Sequence, residues 1–391
     1  MLRVLALTTL FPSAVRPGFA GFVERSLLRL AAVPDVAVTV IAPNGVPPWP
    51  LALHPGYRAA DRLPLAEDWK GLTVHRPRFP LLPGVGWRIN PALIARAAAP
   101  FVHGADVIHA EFFFPDGPAA ALLGTRLGIP VSIKARGSDI HLWGARPAAR
   151  TAMLRAADTA AGLLSVSHAL KADMIALGMP ADRIAGHYTG VDLDSFRPVD
   201  RSATRTALGL PAPLIVSVGN LIPLKGHDIA IRAVAALPGV HLRIVGQGPE
   251  HAALEALIAT LGAQDRIRLT GPLPHTEVAQ LLASADVMAL ASEREGLANV
   301  WVEALACGTP VVITPVGGAA EVVDRPAAGH LAARTPDAFS RAIADLLASP
   351  PAQAETRAAA MRFGWAQHTA QLHAHLERLV RDAPRKSPQS R

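Results

Sequence analysis

The stretch Glu295-Gly-Leu-Ala-Asn-Val-Trp-Val-Glu303, continuing through Ala-Leu-Ala-Cys307-Gly308-Thr-Pro310 into Val311-Val312-Ile313, lays out a loop, a helix and a strand in turn. Asn299 to Ala306 reads as the helix, with Gly308 just beyond its end. The apolar run Val311–Ile313 reads as a buried strand. Two carboxylates bracket seven residues, Glu295 on the Gly-containing loop and Glu303 inside the helix. A loop that opens a helix offers unpaired backbone N–H groups, which suit a phosphate or diphosphate. A carboxylate within the helix is able to accept from two neighbouring hydroxyls, as on a ribose. Together these parts describe a nucleotide-sugar site. Taken alone, two glutamates are more often a solvated loop charge and a structural buried carboxylate, so the rest of the chain has to decide.

Working outward, short apolar runs alternate with longer helical patterns, which argues for parallel sheets flanked by helices. Strands are expected at Leu2–Thr8, Val36–Ile41, Asp106–His109, Val131–Lys134 and Leu163–Val166. A second series is expected at Leu214–Val218, Leu242–Val245, Ile267–Leu269, Val287–Leu290 and Val311–Ile313. Each half reads as its own doubly wound α/β sheet, with the boundary near Phe196–Asp200. Ligands of such sheets sit beyond the carboxyl ends of the strands, so two facing domains would place the site in a cleft. The 391 residues agree with two domains rather than one.

Composition narrows the classes. Half of the residues are apolar and Pro and Gly are dispersed, as in a globular protein. The single cysteine, Cys307, permits no internal disulfide, fits a reducing compartment and reads as packing beside Gly308. The N-terminus reads as a first strand and not a signal peptide, and no apolar run is long enough to span a bilayer. A cytoplasmic location is therefore expected, extending at most to the inner face of the cytoplasmic membrane. The net charge of +7 is uneven: residues 1–200 hold 20 Lys/Arg against 15 Asp/Glu (net +5), and 201–391 hold 18 against 16 (net +2). Such an excess suits anionic substrates or an acidic lipid surface. Nucleic acid is not expected as a partner, because no dense basic cluster with interleaved aromatics occurs. Residues 45–90 mix Trp49, Tyr57, Trp69, Phe79 and Trp87 with prolines and arginines. That mixture fits either a lipid headgroup contact or a long loop packed on its own domain.

The second half opens with Ile215-Val-Ser-Val-Gly219-Asn220-Leu-Ile-Pro-Leu-Lys225-Gly226-His227-Asp228, a strand leading to a Lys-Gly pair. That places a flexible cation at the strand's carboxyl end, suited to a departing diphosphate. Gly246-Gln-Gly248-Pro249-Glu250 lacks the third glycine of a dinucleotide fingerprint, which weakens an NAD reading. Leu269-Thr-Gly271-Pro-Leu273-Pro-His275 is a tight turn after another strand, expected to be able to line a base pocket through main-chain groups.

With these segments in order, the chain resembles glycosyltransferase family 4, the retaining GT-B enzymes, of the bacterial exopolysaccharide or teichuronic-acid type. Further carriers are Phe11-Pro12 through Gly21-Phe22, Val107-Ile-His109-Ala-Glu111 through Gly117, Arg136-Gly-Ser-Asp139, Gly190-Val-Asp192 through Pro198, and Ala306-Cys-Gly-Thr-Pro-Val-Val through Glu321. The resemblance implies an acceptor-side Rossmann-like domain over 1–198 and a donor-binding one over 199–364. A helix over 365–383 would return toward the N-terminal domain, and a disordered tail would follow over 384–391.

It further implies that a sugar moves from a nucleoside diphosphate to an acceptor hydroxyl with retention, without metal or cofactor. The acceptor would be a saccharide or a lipid-linked one, in cell-surface polysaccharide or glycolipid synthesis. Glu303 would hold the ribose hydroxyls, Glu295 the transferred sugar, and Lys225 the diphosphate. Gly296, Leu297 and Asn299 would meet phosphate or sugar, Leu273 the base, and Gly18 and Gly21 the diphosphate. His109 and Asp139 would lie on the acceptor side.

Two positions depart from the pattern. Asn220 stands where many relatives have Arg, and Arg136-Gly137 where many have His-Gly. Arg136 stays protonated and is no base; it would stabilise charge on the departing phosphate and make up for the cation missing at Asn220, or else pair structurally with Asp139. Two rivals remain: a nucleotide-sugar epimerase on the same scaffold, and a non-catalytic GT-B protein that binds a sugar nucleotide or a partner.

Overall fold

The computed structural model describes residues 1–54, 57–58 and 61–383; the tail expected to be disordered lies outside them. Sixteen strands among the described residues run in chain order: β1 Leu2–Leu7, β2 Val36–Ile41, β3 Asn44–Val46, β4 Ala66–Trp69, β5 Leu72–His75, β6 Arg78–Pro80, β7 Val107–Ala110, β8 Val131–Ala135, β9 Gly162–Ser165, β10 Ile184–Gly186, β11 Leu214–Val218, β12 His241–Val245, β13 Ile267–Gly271, β14 Val287–Leu290, β15 Val311–Ile313 and β16 Gly329–Leu331. The chain divides into two units, Met1–Gly190 with the segment from Ala366, and Val191–Trp365.

In the second unit the sheet order is β13-β12-β11-β14-β15-β16, all parallel. Numbered within the unit that is 3-2-1-4-5-6, the doubly wound order in which the chain reverses direction between β11 and β14. Strands β14 and β15 are buried along their whole length, as parallel strands covered by helices on both faces must be. Ile215, Leu242, Ile244, Val287 and Val312 pack with Ile231, Val234, Phe339 and Ile343 into one core.

The helix Asn299–Ala306 ends as the sequence indicates. Gly308 turns at φ +73°, its N–H donates to Leu305 O, and the Thr309 N–H donates to Ala304 O. That pair of bonds satisfies the last carbonyls of the helix. Cys307 is buried there and its thiol is pushed up to about 12 by burial, as a packing residue rather than a nucleophile.

The first unit holds an eight-stranded sheet, β10-β9-β8-β7-β1-β2-β5-β4, parallel except for the β4–β5 hairpin. Its order reverses between β1 and β7. The hairpin turns at Lys70 (φ 55°) and Gly71 (φ 88°), two left-handed residues that match the twist of paired strands. Much of the stretch read as an irregular aromatic loop is therefore sheet edge. Trp69 is tied down: its indole N–H donates to Glu24. Trp49 is not, with 79% of its surface exposed.

From Ala366 the C-terminal helix Trp365–Asp382 belongs to the first unit, where Leu372 and Leu376 are fully buried in the core with Val4, Val23, Leu27 and Val107. The division between the units falls at Gly190/Val191, ahead of the Pro198 boundary read from the sequence. Residues 191–198 are held to the second unit by Arg357, which donates to the carbonyls of Leu193, Phe196 and Ala306. Val191 also bridges to Gly364. A proline near position 198 marks a change of composition, whereas these bonds determine which body the segment joins.

Replacing Arg357 with alanine strands those carbonyls. The change should destabilise the chain by about 3 kcal/mol, the upper range for bonds from a charged donor, read as a lower urea midpoint. An unchanged midpoint would show that water replaces the arginine without loss.

Candidate active site

In the second unit the loops after β11 and β14 meet at the point where the strand order reverses. Lys225 ends a short turn, Pro223–Lys225, and its Nζ donates to Glu295 Oε1. Ser292 Oγ donates to the same oxygen at 2.8 Å. Both members of the ion pair keep a solvent-facing edge, 19% and 13% of their side chains.

Two glycines permit this approach of backbone to backbone. A Cβ on Gly226 (φ +63°) would lie 2.3 Å from Ala291 O, and one on Gly317 (φ +51°) would lie 2.1 Å from Glu295 O. No other residue fits at either place.

His227, fully buried, braces the same loop. Its Nε2 reaches Asn220 O at 3.3 Å and its Nδ1 reaches Ser217 Oγ at 3.0 Å. A carbonyl only accepts, so the proton is on Nε2 and the ring is neutral. Burial lowers its pKa to about 4. Asn220 is exposed and contributes its carbonyl to this bracing.

Glu295, Gly296 and Leu297 lead into the helix Asn299–Ala306, whose cap residue Ala298 offers no side-chain acceptor. The helix N-terminus therefore carries positive potential that no cap side chain offsets. Gly296 O accepts from Gly318 N at 2.9 Å, Leu297 is buried and Asn299 half-buried. One turn on, Glu303 keeps 14% of its side chain exposed, and its Oε1 accepts from His275 Nε2 at 3.1 Å. The His275 ring stands edge-on to Phe196, 4.7 Å between centroids. Leu273, half-buried, sits in the turn before His275. The unit thus assembles the expected Lys225, Glu295, Gly296, Leu297, Asn299 and Glu303. It also supplies three groups the sequence reading left unassigned: Ser292, His227 and His275.

In the first unit the residues gather at the β1/β7 reversal. Arg136, just beyond β8, donates from Nη2 to Glu111 Oε2, from Nε to Glu111 O at 3.2 Å, and from Nη1 to Thr189 Oγ1 at 3.3 Å. Its guanidinium lies 4.7 Å from the centre of the Phe22 ring. Phe22 opens the helix Gly21–Ala31, whose cap Ala20 is left-handed (φ 51°) and has no side-chain cap bond. The Gly18–Gly21 loop and Arg136 are therefore neighbours; Gly18 is exposed and Gly21 half-buried.

The partner of Arg136 is Glu111, not the Asp139 side chain by ion pairing. Asp139 instead accepts backbone N–H bonds from Phe113, Arg136, Gly137 and Ile140. Both Asp139 and His109 are fully buried. They thus lie within the body of the unit and present no surface to an acceptor, which corrects the placement drawn from the sequence. Burial works to raise the Glu111 carboxyl, but Arg136, with His109 and Lys134, outweighs it and holds the group well below the usual carboxylate range. Asp116 accepts from Thr9 N at 2.8 Å, and its pKa is raised to about 7 by burial. Among the described residues no group of three or more His, Cys, Asp or Glu is arranged to hold a metal ion.

Residues 23–195 match the family model described as Glycosyltransferase Family 4, and residues 200–363 the one described as Glycosyl transferases group 1. D-inositol 3-phosphate glycosyltransferases of Mycobacterium bovis and Mycobacterium tuberculosis are 38% identical over 219 residues, which is 52% of this chain and 45% of theirs. The match therefore spans less than half the length of those relatives. HepE of Anabaena, crystallised with UDP and glucose, superposes with a TM-score of 0.74 at 22% identity over 97% of this chain and 100% of that one. Sucrose-phosphate synthase of Thermosynechococcus elongatus does so at 0.79 and 20% identity, over 98% and 100%. Both of these likenesses are likenesses of fold.

The neutral His227 sets a pH dependence. Its pKa falls from 6.5 in the unfolded chain to about 4 in the folded one. Its contribution is fully present above pH 6.5 and is lost as pH falls toward 4, by up to about 1.4 kcal/mol per pH unit. A His227→Gln variant should therefore lose less stability than the parent between pH 6.5 and 4. Parallel urea midpoints across that range would refute a neutral buried ring.

Proposed function

We propose that the chain is a GT-B glycosyltransferase of family 4, as its two family-model matches support, and that it transfers a sugar from a nucleoside diphosphate to an acceptor hydroxyl with retention of configuration. The observation that carries the reading is the Lys225–Glu295 pair at the strand-order reversal, beside a helix N-terminus without a side-chain cap and one helical turn from Glu303. Ligands of doubly wound sheets occupy that place. Lys225 and the helix amides meet the diphosphate, Glu303 the ribose hydroxyls, and Glu295 the sugar.

Glu303 and Lys225 both have an internal partner that a ligand would exchange. The His275 bond to Glu303 gives way to the ribose, and Lys225 turns from Glu295 toward phosphate. No covalent nucleophile is invoked. The bond from the anomeric carbon to the diphosphate oxygen breaks with its electron pair leaving on the diphosphate. The acceptor oxygen bonds to the same carbon on the same face and passes its proton to a leaving phosphate oxygen. Electrostatic stabilisation of the departing diphosphate carries most of the rate, so the step needs no metal. UDP-sugars are the first donors to test, because UDP and UDP-glucose occupy the fold relative HepE.

The acceptor is assigned to cell-surface polysaccharide or glycolipid at a membrane face. Among the described residues no helix is long and apolar enough to cross a membrane. Exposed Trp49, Leu51 and Leu53 follow β3, exposed Leu82, Val85 and Ile89 follow β6, and those two strands are paired. Two apolar segments leaving one ribbon, the second carrying exposed Arg88, suit an anionic lipid surface.

Glu303→Gln should weaken UDP binding by about 1.5–3 kcal/mol, or about 10- to 100-fold, read by calorimetry. Lys225→Ala should lower kcat about 100-fold with a smaller effect on KM. Equal UDP affinity in the first variant, together with an unaltered kcat in the second, would sink the donor site. For the membrane contact, Trp49→Ala with Leu51→Ala and Leu53→Ala should reduce co-sedimentation with phosphatidylglycerol vesicles about tenfold, from the lost burial of three large side chains. Equal sedimentation of variant and parent would rule the contact out.

A further inference from the structure

Behind Arg136, a file of side chains runs from the carboxyl end of the first sheet to the C-terminal helix. Glu111 Oε1 faces His109 Nε2 at 3.4 Å, a charge–dipole contact outside hydrogen-bond geometry, and both atoms are buried with no hydrogen-bond partner. His109 Nδ1 is 3.1 Å from Ser132 Oγ, Ser132 Oγ is 3.0 Å from His375 Nε2, and His375 Nδ1 is 3.2 Å from Arg378 Nη2. Glu111, His109 and Ser132 have no solvent exposure. Gly162 makes room for the file, since a Cβ there would lie 2.7 Å from the His375 ring.

The proton positions follow from the two ends. A guanidinium only donates, so His375 Nδ1 accepts from Arg378. His375 is neutral, its pKa lowered to about 3 by burial, with His109 and Arg378 adding to the shift. Its one proton is therefore on Nε2 and is donated to Ser132 Oγ. The Ser132 hydroxyl then turns its own proton to His109 Nδ1. That leaves the His109 proton on Nε2, aimed at Glu111 Oε1. At the other end Arg136 donates to Glu111 Oε2. One assignment of protons then runs from Arg378 to His109. Glu111 is thus a carboxylate held on Oε2 by Arg136, with the His109 N–H facing Oε1 across 3.4 Å.

We propose that Glu111 is a positioning residue that fixes the Arg136 guanidinium, and that its own orientation is set from the C-terminal helix through Arg378, His375, Ser132 and His109. The proposal rests on the reading of Arg136 as a group that acts on the transferred sugar diphosphate. Three of the five N–H bonds of Arg136 go to Glu111 and Thr189, and two remain for an anionic ligand. Their direction is only as fixed as the carboxylate that holds the rest of the group. Loss of the His109 N–H removes the positive pole that faces the buried Glu111 Oε1, and the carboxylate swings with its arginine. The effect falls on turnover, because Glu303, the residue proposed to hold the ribose, belongs to the other unit.

Two spectroscopic readouts test this without turnover, on full-length protein carrying ¹⁵N-histidine and ¹⁵N-arginine. His109 should carry its proton on Nε2 and none on Nδ1, and the Arg136 guanidinium should show slow rotation. His375→Phe, which breaks two links and keeps volume, should mix the His109 tautomers and speed that rotation. Arg378→Met, at an exposed position, should do the same in part without disturbing the core. His375→Gln, able to accept from Arg378 and donate to Ser132, should restore both signatures. In sugar transfer, kcat should fall about tenfold in His375→Phe with donor KM within twofold, and recover in His375→Gln. A doubly protonated or Nδ1-protonated His109 in the parent overturns the proposal, as does an Arg136 rotation equal in all variants. If both signatures hold while the parent transfers no sugar from any donor, the proposed function fails and the positioning role stands.

Discussion

The contact between Lys225 and Glu295 depends on a reversal in strand order that brings the ends of β11 and β14 side by side. A cation after one strand and a carboxylate after the next meet there because the chain turns opposite ways from neighbouring strands. The loops carrying them pack so closely that Gly226 and Gly317 have a carbonyl where a Cβ would stand. Charge, strand order and glycine positions are therefore one constraint. Displacing either loop would separate the pair and open the mouth of the helix Asn299–Ala306.

The sequence was legible where burial dictates residue type. Strands β14 and β15 fall on their expected bounds, because a parallel strand covered on both faces must be a continuous apolar run. The helix Asn299–Ala306 and its Gly308 terminus were equally plain. The strands β3, β4, β5, β6, β10 and β16 were not read. They are three or four residues long and several are half exposed, so periodicity has too few positions to register. The Lys70-Gly71 turn was the one local signal for the β4–β5 hairpin, and it lay among prolines and aromatics that suggested a loop.

Legibility of the site divides along a similar line. Glu295, Glu303 and Lys225 stand next to glycines and helix ends, so local sequence announces them. Their partners come from afar. His275 reaches Glu303 from another helix, and Arg136 found Glu111, twenty-five positions away, instead of Asp139 three positions on. Nearness in sequence favoured Asp139, but its oxygens were already committed to four backbone N–H groups, three in the turn after β8 and Phe113 in the loop after β7. An Asp that caps a turn has no lone pair aimed at a guanidinium. That is why the apparent local pair does not form.

The two units treat charge differently, and the difference fits their parts in the proposed transfer. In the second, Lys225, Glu295, His275 and Glu303 keep solvent-facing edges, and each pair is able to exchange its partner for a ligand at modest cost. In the first, Glu111, Asp139, His109 and Lys134 are sealed from water, and Lys134 is held well below an ordinary lysine by burial and by Arg136. Removing one member of such a buried set strands another, at a cost of several kcal/mol. A sealed set does not rearrange to receive a substrate. It holds one geometry, and the one member that keeps a sliver of exposure is Arg136, with 7% of its side chain reaching the surface. In the proposed transfer the buried set of the first unit keeps Arg136 in one orientation through Glu111, whereas the pairs of the second face solvent and are open to exchange.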